Sequence, residues 1–400
     1  MSRKKNKVSD IVLTEGQSQL IDKIMKWYKD FNNGTTSEYE HPQYFVYSGA
    51  AGVGKTRVIK EIISALRIQN HYVGCAYTGK AVQNIQKNGL KAKTIHSLIY
   101  NIYLERVKNE RGRFVEIPVF ELKEELDEDY KLIFVDEASM VNDDLAFEIL
   151  SFGKPVIFLG DMNQLPSIYG SSNIMKKPDF VLTQIVRQSE DNPIIMLSQM
   201  IMKGMPILEG DYGNCKVVRR YEIGPDVLND FDQIICVTNK IREQINQTCR
   251  VFRYGPKNIQ KPHLLDKIVC RQNNWDIEAN GYFLTNGTTG ILTNIDSSDV
   301  AKGYYTIDFH PDYFPQNIDF EKLQVDAEYI NADFTARKYM GRTPNEKFEY
   351  AYALTVYLSQ GSEYNRVLYI DDWFHDAKLT QKSRYTAITR AKESITIVLR

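Results

Sequence analysis

The stretch Tyr44-Phe45-Val46-Tyr47-Ser48-Gly49-Ala50-Ala51-Gly52-Val53-Gly54-Lys55-Thr56 governs how the rest of the chain is read. An apolar run that ends in G-x-x-x-x-G-K-T reads as a β-strand handing a phosphate-binding loop to a helix, and Thr56 to Gln69 supplies that helix. Glycines let backbone N–H groups curl around phosphates, and the helix N-terminus adds the positive end of its dipole. Gly49, Ala50, Ala51, Gly52, Val53, Gly54, Lys55 and Thr56 are thus the candidate nucleotide-binding residues. Lys55 would reach the β- and γ-phosphates, and Thr56 would hold Mg²⁺.

Further apolar runs follow at Tyr72–Tyr77, Leu132–Val135 and Val156–Leu159, alternating with helical stretches. That alternation predicts a parallel sheet covered on both faces. Each run ends in a polar motif, which places Thr78, Asp136 and Gly160-Asp161 at the carboxyl edge, where open α/β sheets bind ligands. Asp136 would join Thr56 at the metal, and Glu137 would orient and deprotonate an attacking water. Gln164, in Gly160-Asp161-Met162-Asn163-Gln164-Leu165-Pro166-Ser167, would sense the γ-phosphate. Arg187 and Arg390 are candidates for stabilising charge on the transferring phosphoryl group.

A second α/β run starts at Ile234–Val237, continues as a helix over Lys240–Phe252, and resumes at Tyr350–Leu358, Val367–Ile370 and Ile395–Leu399. Between Pro262 and Asn345 the texture changes to short strands and turn pairs such as Asn286-Gly287, which predicts a small β-rich insertion. Inside the first unit, Arg113–Phe120 alternates like a hairpin strand. It reads as a small projection rather than a domain.

The 400 residues, at roughly 100 to 200 per domain, allow two to four domains. Fifty basic against 51 acidic residues exclude a chain coated in nucleic acid by bulk electrostatics, so a polyanion must be held in a local groove. The five cysteines are scattered without a C-x-x-C pair, which argues against a disulfide framework or a zinc site and suits a reducing cytoplasm. The basic start, Met1–Asp10, has no apolar segment after it, and no window approaches the roughly 18 apolar residues of a membrane helix, so no membrane association is expected.

Taken in order, these motifs resemble the RecD/Dda-like branch of superfamily 1 DNA helicases, class B. Leu13-Thr14-Glu15-Gly16-Gln17 is similar to the family's Q motif, Tyr77–Ala81 to motif Ia, Thr94–Ser97 to motif Ic, Asp136–Ser139 to motif II and Gly160–Ser167 to motif III. Arg187 stands at the motif IV arginine, Ser359-Gln360-Gly361-Ser362-Glu363 is similar to motif V, and Tyr385–Arg390 to motif VI. The resemblance implies an α/β chain of two RecA-like parallel-sheet P-loop domains, 1–185 and 186–400. A wedge hairpin would lie at about 101–129, where Phe114 or Phe120 could stack on a terminal base pair or form the small core of the hairpin itself, and an SH3-like β insertion would lie at about 262–345.

It also implies ATP in the cleft between them, with Gln17 reading the adenine, Glu363 at the nucleotide, and Arg187 and Arg390 completing the site. Single-stranded DNA would cross the top on Thr78, His96, Asn239, Gln360 and Ser362, by backbone contact and base stacking. The implied activity is ATP-dependent, 5′→3′ movement on single strands with unwinding of forked duplex in replication, recombination or repair, by a monomer working beside single-strand-binding or replisome proteins. A translocase that strips proteins and an ATP-switched DNA-binding or loading factor are the rival readings. There are two departures from the family pattern: Tyr77 replaces a proline in motif Ia, and Tyr357-Leu358 replace His-Lys before motif V.

Overall fold

The computed structural model describes residues 13–35, 39–108, 114–167, 172–184, 192–219, 223–279, 282–312, 318–340, 344–374 and 376–400. In the first half the strands are β1 (Tyr44–Gly49), β2 (Tyr72–Ala76), β3 (Ala92–Thr94), β4 (Tyr100–Lys108), β5 (Phe114–Leu122), β6 (Leu132–Asp136), β7 (Val156–Gly160) and β8 (Phe180–Leu182). Six of them form one sheet in the order β3-β2-β6-β7-β1-β8, with every pairing parallel. β4 and β5 stand apart as an antiparallel hairpin.

Continuous apolar runs form these strands because a parallel sheet is buried on both faces. Leu132 and Phe134 pack with helices α1 (Glu15–Asn33), α2 (Lys55–Leu66) and α3 (Gly79–Lys87), through Leu20, Trp27, Ile62 and Ile85. Their neighbours Ile133 and Val135 pack with α4 (Ile95–Ile99) and α5 (Asp143–Leu150), through Leu98 and Ile149. The polar residues after each strand are thereby left at one edge.

The second half repeats the scheme. Helix α6 (Pro193–Met202) is followed by β9 (Gly210–Tyr212), β10 (Cys215–Arg219), β11 (Gln233–Cys236) and α7 (Asn239–Tyr254). An insertion follows, with β12 (Lys267–Cys270), β13 (Asn274–Ala279), β14 (Tyr282–Leu284), β15 (Thr289–Asp296), β16 (Tyr304–Pro311), β17 (Phe320–Asp326), α8 (Ala327–Asn331), α9 (Phe334–Arg337) and β18 (Phe348–Tyr350). Then come β19 (Ala353–Thr355), α10 (Val356–Ser359), β20 (Tyr364–Ile370), α11 (Ala377–Ile388) and β21 (Ala391–Leu399). The sheet order β19-β11-β20-β21-β10-β9 is parallel except for β9 against β10. α6 and α11 cover one face of this sheet, and α7 the other.

The insertion is a five-stranded antiparallel sheet, β17-β16-β15-β12-β18, around its own core of Ile268, Leu292, Ile307, Phe309, Phe320 and Phe348. Its last strand differs from the sequence expectation that the α/β pattern resumes as one run over Tyr350–Leu358. Phe348–Tyr350 still belongs to the insertion, Ala353–Thr355 to the second parallel sheet, and Val356–Ser359 is helical. An apolar run gives periodicity nothing with which to mark where one sheet hands over to another.

A buried ion cluster fixes this joint. Glu349, 4% exposed, meets Arg242 of α7, Arg271 (3.1 Å), Arg337 (3.6 Å) and the Tyr329 hydroxyl (3.2 Å). Burial pushes its carboxyl up, but the three guanidinium groups overcome this and hold it below the ordinary value.

Within the first sheet Gly74 pairs with Phe134, and a Cβ at Gly74 would lie 2.3 Å from the Phe134 ring. Gly74→Ala should therefore destabilise by about 1–3 kcal/mol, as overpacking does. Phe134→Leu in the same chain should recover part of the loss in denaturant unfolding, and strict additivity of the two changes would refute the contact.

Candidate nucleotide site and its link to the second core

β1 delivers the loop Gly49–Gly54 to α2. Gly52 and Gly54 adopt φ of +83° and +77°, a left-handed backbone that side chains rarely tolerate. A Cβ on Gly49 would meet Val53 Cγ2 at 2.6 Å, so this position needs glycine for space. Lys55 folds back on its own loop, donating to the carbonyls of Gly49 (2.7 Å) and Ala50 (3.3 Å). Thr56 follows in the first turn of α2.

Gln17 lies against the same loop, its Nε2 donating to the Val53 carbonyl at 2.9 Å while its Oε1 accepts from Thr14 N at 3.1 Å. Only 1% exposed, it fastens the start of α1 to the loop, and the structure does not turn its amide toward an open base pocket.

Asp136 ends β6, and its Oδ1 accepts from the Glu137 N–H at 2.8 Å. Withdrawal from water, with the Glu137 charge beside it, pushes the Asp136 carboxyl up to about 7 despite the opposing charge of Lys55. Glu137 has φ of +51°, and its buried Oε2 has no partner among the described residues. Two crowded carboxyl groups with one orphaned oxygen form a donor set that a divalent cation suits.

Arg390 of the second core lies 4.0 Å from Glu137 Oε1. It is 4% exposed and donates to the carbonyls of Thr386 (3.1 Å) and Ser362 (3.2 Å) and to Thr389 Oγ1 (3.2 Å), which aims a guanidinium at the carboxylates of the first core. Arg187, the other expected cation, lies outside the described residues, as does Arg113 of the hairpin.

Gln164, 4% exposed, has an Oε1 without a partner among the described residues. The loop around it is held from the second core at several points. The Leu165 N–H donates to Thr386 Oγ1 at 2.9 Å, the Leu165 carbonyl accepts from Gln360 Nε2 at 2.9 Å, and Lys382 Nζ donates to the Met162 carbonyl at 2.6 Å. Tyr385 donates to Asp161 and accepts from the Ala51 N–H at 3.1 Å.

Gln360 and Ser362 were expected on the strand-binding surface. At 3% and 1% exposed, both are buried: the Gln360 amide is taken by the Leu165 carbonyl of the opposite core, and the Ser362 hydroxyl has no partner among the described residues. Sequence reading placed Tyr385 and Thr386 inside motif VI without a role. Their position a helical turn ahead of Arg390 was the available signal.

Thr78 caps α3 by accepting from the Ala81 N–H at 3.2 Å. The cores also meet here, where Asn84 donates to the Gly361 carbonyl (2.9 Å) and Lys80 to the Tyr364 hydroxyl (3.2 Å). His96 sits among Tyr77, Tyr100 and Phe120, with ring centroids 5.7, 5.7 and 5.9 Å away, and burial lowers its pKa. Phe120 packs on this cluster at the base of the hairpin while keeping 43% exposure. Asn239 is the first residue of α7, and Glu363 lies 3.4 Å from Lys392 with an exposed side chain.

Residues 37–217 match a family model described as an AAA domain, and residues 350–398 match one described as a UvrD-like helicase C-terminal domain. The chain is 26% identical over 365 residues to the ATP-dependent RecD2 DNA helicase of Deinococcus radiodurans, covering 87% of this chain and 46% of that protein. It thus spans less than half the length of this relative. Its fold is similar to that in a structure describing DNA unwinding at forked duplex by two coordinating Pif1 helicases (TM-score 0.56, 18% identity, 97% and 92% of the two chains). It is also similar to a Bacteroides Pif1 helicase in complex with ADP-AlF3 and single-stranded DNA (TM-score 0.55, 17% identity, 97% and 92%). The fold is that of two RecA-like parallel sheets.

The raised Asp136 carboxyl has a measurable consequence. An ordinary Asp ionises near 3.8, and Asp136 near 7, so between these values the fold holds a proton that the unfolded chain has released. The cost of ionising it grows with pH and is complete above about 7. Asp136→Asn should raise the melting midpoint of the nucleotide-free protein by several degrees at pH 8, with the gain shrinking toward pH 5. An equal gain at both pH values, in calorimetry, would refute this burial cost.

Proposed function

We propose that the chain belongs to the RecD/Pif1-like branch of superfamily 1 helicases, class B, and is an ATP-dependent DNA helicase that moves along single-stranded DNA and unwinds forked duplex. The observation that carries this reading is the loop Asp161–Leu165, which lies beside the phosphate loop and is bonded to Tyr385, Thr386 and Gln360 of the other core. Such a connection lets the state of the phosphate site reach the opposite core, as a strand-moving motor requires.

In this reading the loop Gly49–Thr56 binds the phosphates, and Glu137 takes a proton from the attacking water. Arg390, with Arg187, neutralises charge on the transferring phosphoryl group. Thr56 and Asp136 would hold Mg²⁺, which supplies positive charge at the β- and γ-phosphates when bound. Gln17 moves from Val53 to the adenine, and Glu363 closes the nucleotide side.

Gln164 senses the γ-phosphate, and its loop passes the change to Gln360 and so to motif V, where Ser362 lies. Thr78, His96 and Asn239 meet the strand directly, while Gln360 and Ser362 act from inside the interface. The β4–β5 hairpin is the wedge, and the five-stranded insertion is its SH3-like partner. The two cores, residues 1–185 and 186–400, close on ATP and open on hydrolysis, advancing 5′→3′. We place this monomeric motor in a cytoplasmic replication, recombination or repair system beside single-strand-binding proteins.

The test is unwinding of forked duplexes carrying either a 5′ or a 3′ tail, with Lys55→Ala as the hydrolysis-dead control. The 5′-tailed substrate should open and the control should not open it. Single-strand-stimulated hydrolysis without unwinding would leave only a translocase, and hydrolysis indifferent to DNA would remove the motor.

Gln360→Ala should cut the stimulation of hydrolysis by oligo(dT) roughly tenfold, on the scale of one buried hydrogen bond and the group it leaves unpaired, with basal hydrolysis nearly unchanged. Full stimulation in that variant would show that the Leu165 bond carries no signal.

A further inference from the structure

The aromatic ring of Tyr385 is buried near the end of α11, 1% exposed, and its hydroxyl is the meeting point of two elements of the opposite core. It accepts the Ala51 N–H at 3.1 Å and donates to Asp161 Oδ2. Asp161 is fully buried, and its other oxygen accepts from the Asn163 N–H (3.0 Å) and Nδ2 (3.1 Å).

Burial and the Asp161 charge push the Tyr385 hydroxyl far up, so it keeps its proton. A phenol has one hydrogen to give. With that hydrogen committed to Asp161, only its lone pair can serve Ala51, and the direction of both bonds is fixed.

Ala51 lies in the middle of the phosphate loop. A loop of this type binds anions with converging backbone N–H groups and a lysine. Here one of those N–H groups is already occupied by the Tyr385 oxygen. Lys55 is occupied as well, by the Gly49 and Ala50 carbonyls. The oxygen of Tyr385 and the two carbonyls hold donors for which an anion's oxygens would compete.

We propose that Tyr385 is a positioning residue that acts as a nucleotide-displaced latch: with the loop empty its hydroxyl ties Ala51 and Asp161 to α11, and phosphate binding takes Ala51 away and frees that helix. The next residue, Thr386, holds the Leu165 N–H, and Lys382, one turn earlier, holds the Met162 carbonyl. Release of Tyr385 therefore reaches the Gln164 loop through the same helix. The latch deepens the proposed motor and rests on reading Gly49–Thr56 as an ATP site.

The test is Tyr385→Phe in the full chain, which removes the hydroxyl and keeps the ring. A competitor for Ala51 is lost, so a fluorescent ATP analogue, titrated without DNA, should bind about 2- to 12-fold tighter, the span expected for one hydrogen bond. Turnover with oligo(dT) should fall in kcat with no rise in KM, because occupancy no longer moves α11. Simple structural damage would instead weaken binding and turnover together.

Unchanged or weaker analogue binding overturns the latch. Should the variant fail to fold because Asp161 loses a donor, Tyr385→Phe with Asp161→Asn, read against Asp161→Asn alone, carries the same expectation. Failure of the wild-type chain to hydrolyse ATP would sink the motor and leave the binding comparison standing, so the two failures are separable.

Discussion

Both backbone polar groups of Leu165 find their partners in the opposite core: its N–H on Thr386 and its carbonyl on Gln360. Leu165 is fully buried, and a buried peptide group left unpaired costs about 1–3 kcal/mol. The short loop beside the phosphates is therefore supplied with hydrogen bonds by residues about 200 positions away. The rest of the arrangement follows from that constraint. α11 must present Thr386 inward, which brings Tyr385 over the phosphate loop and leaves Arg390 facing Glu137.

The acidic side of the cleft supplies the opposing tendency. Asp136 and Glu137 crowd each other at the end of β6, and Glu137 adopts a left-handed backbone to sit there. Such a conformation costs of order 1–3 kcal/mol and persists only when its surroundings enforce it. A cation meets these carboxylates from across the cleft, through Arg390 at 4.0 Å. The two cores are thus joined by hydrogen bonds at the Gln164 loop and by charge at the carboxylates.

What sequence could reveal follows from how local each feature is. The phosphate loop, Asp136-Glu137 and Arg390 were legible because each is a fixed spacing at the end of a strand or helix, and the strands before them are apolar on both faces. Gln360 was read as a groove residue because its motif places it near the strand. Its partner, Leu165, is 195 residues away, and nothing local marks that contact. Tyr385 is harder still, since its partner Ala51 is 334 residues distant and contributes only a backbone N–H, which has no sequence signature. The handover from β18 to β19 was lost for a different reason: Tyr350–Leu358 is apolar except for Thr355, so two sheets and a helix share one nearly uninterrupted pattern.

The return from the insertion to the second core takes only Ala351 and Tyr352, between β18 and β19, and Glu349 at that joint is gripped by three arginines. Of these arginines Arg242 stands on α7 and so ties the insertion to its core, and Arg337 reaches Glu243 of the same helix at 2.9 Å. An insertion carried along by its core would turn a small rotation at the cleft into a larger sweep at the far end of the β-sheet, a lever whose stroke grows with the length of β15 and β16.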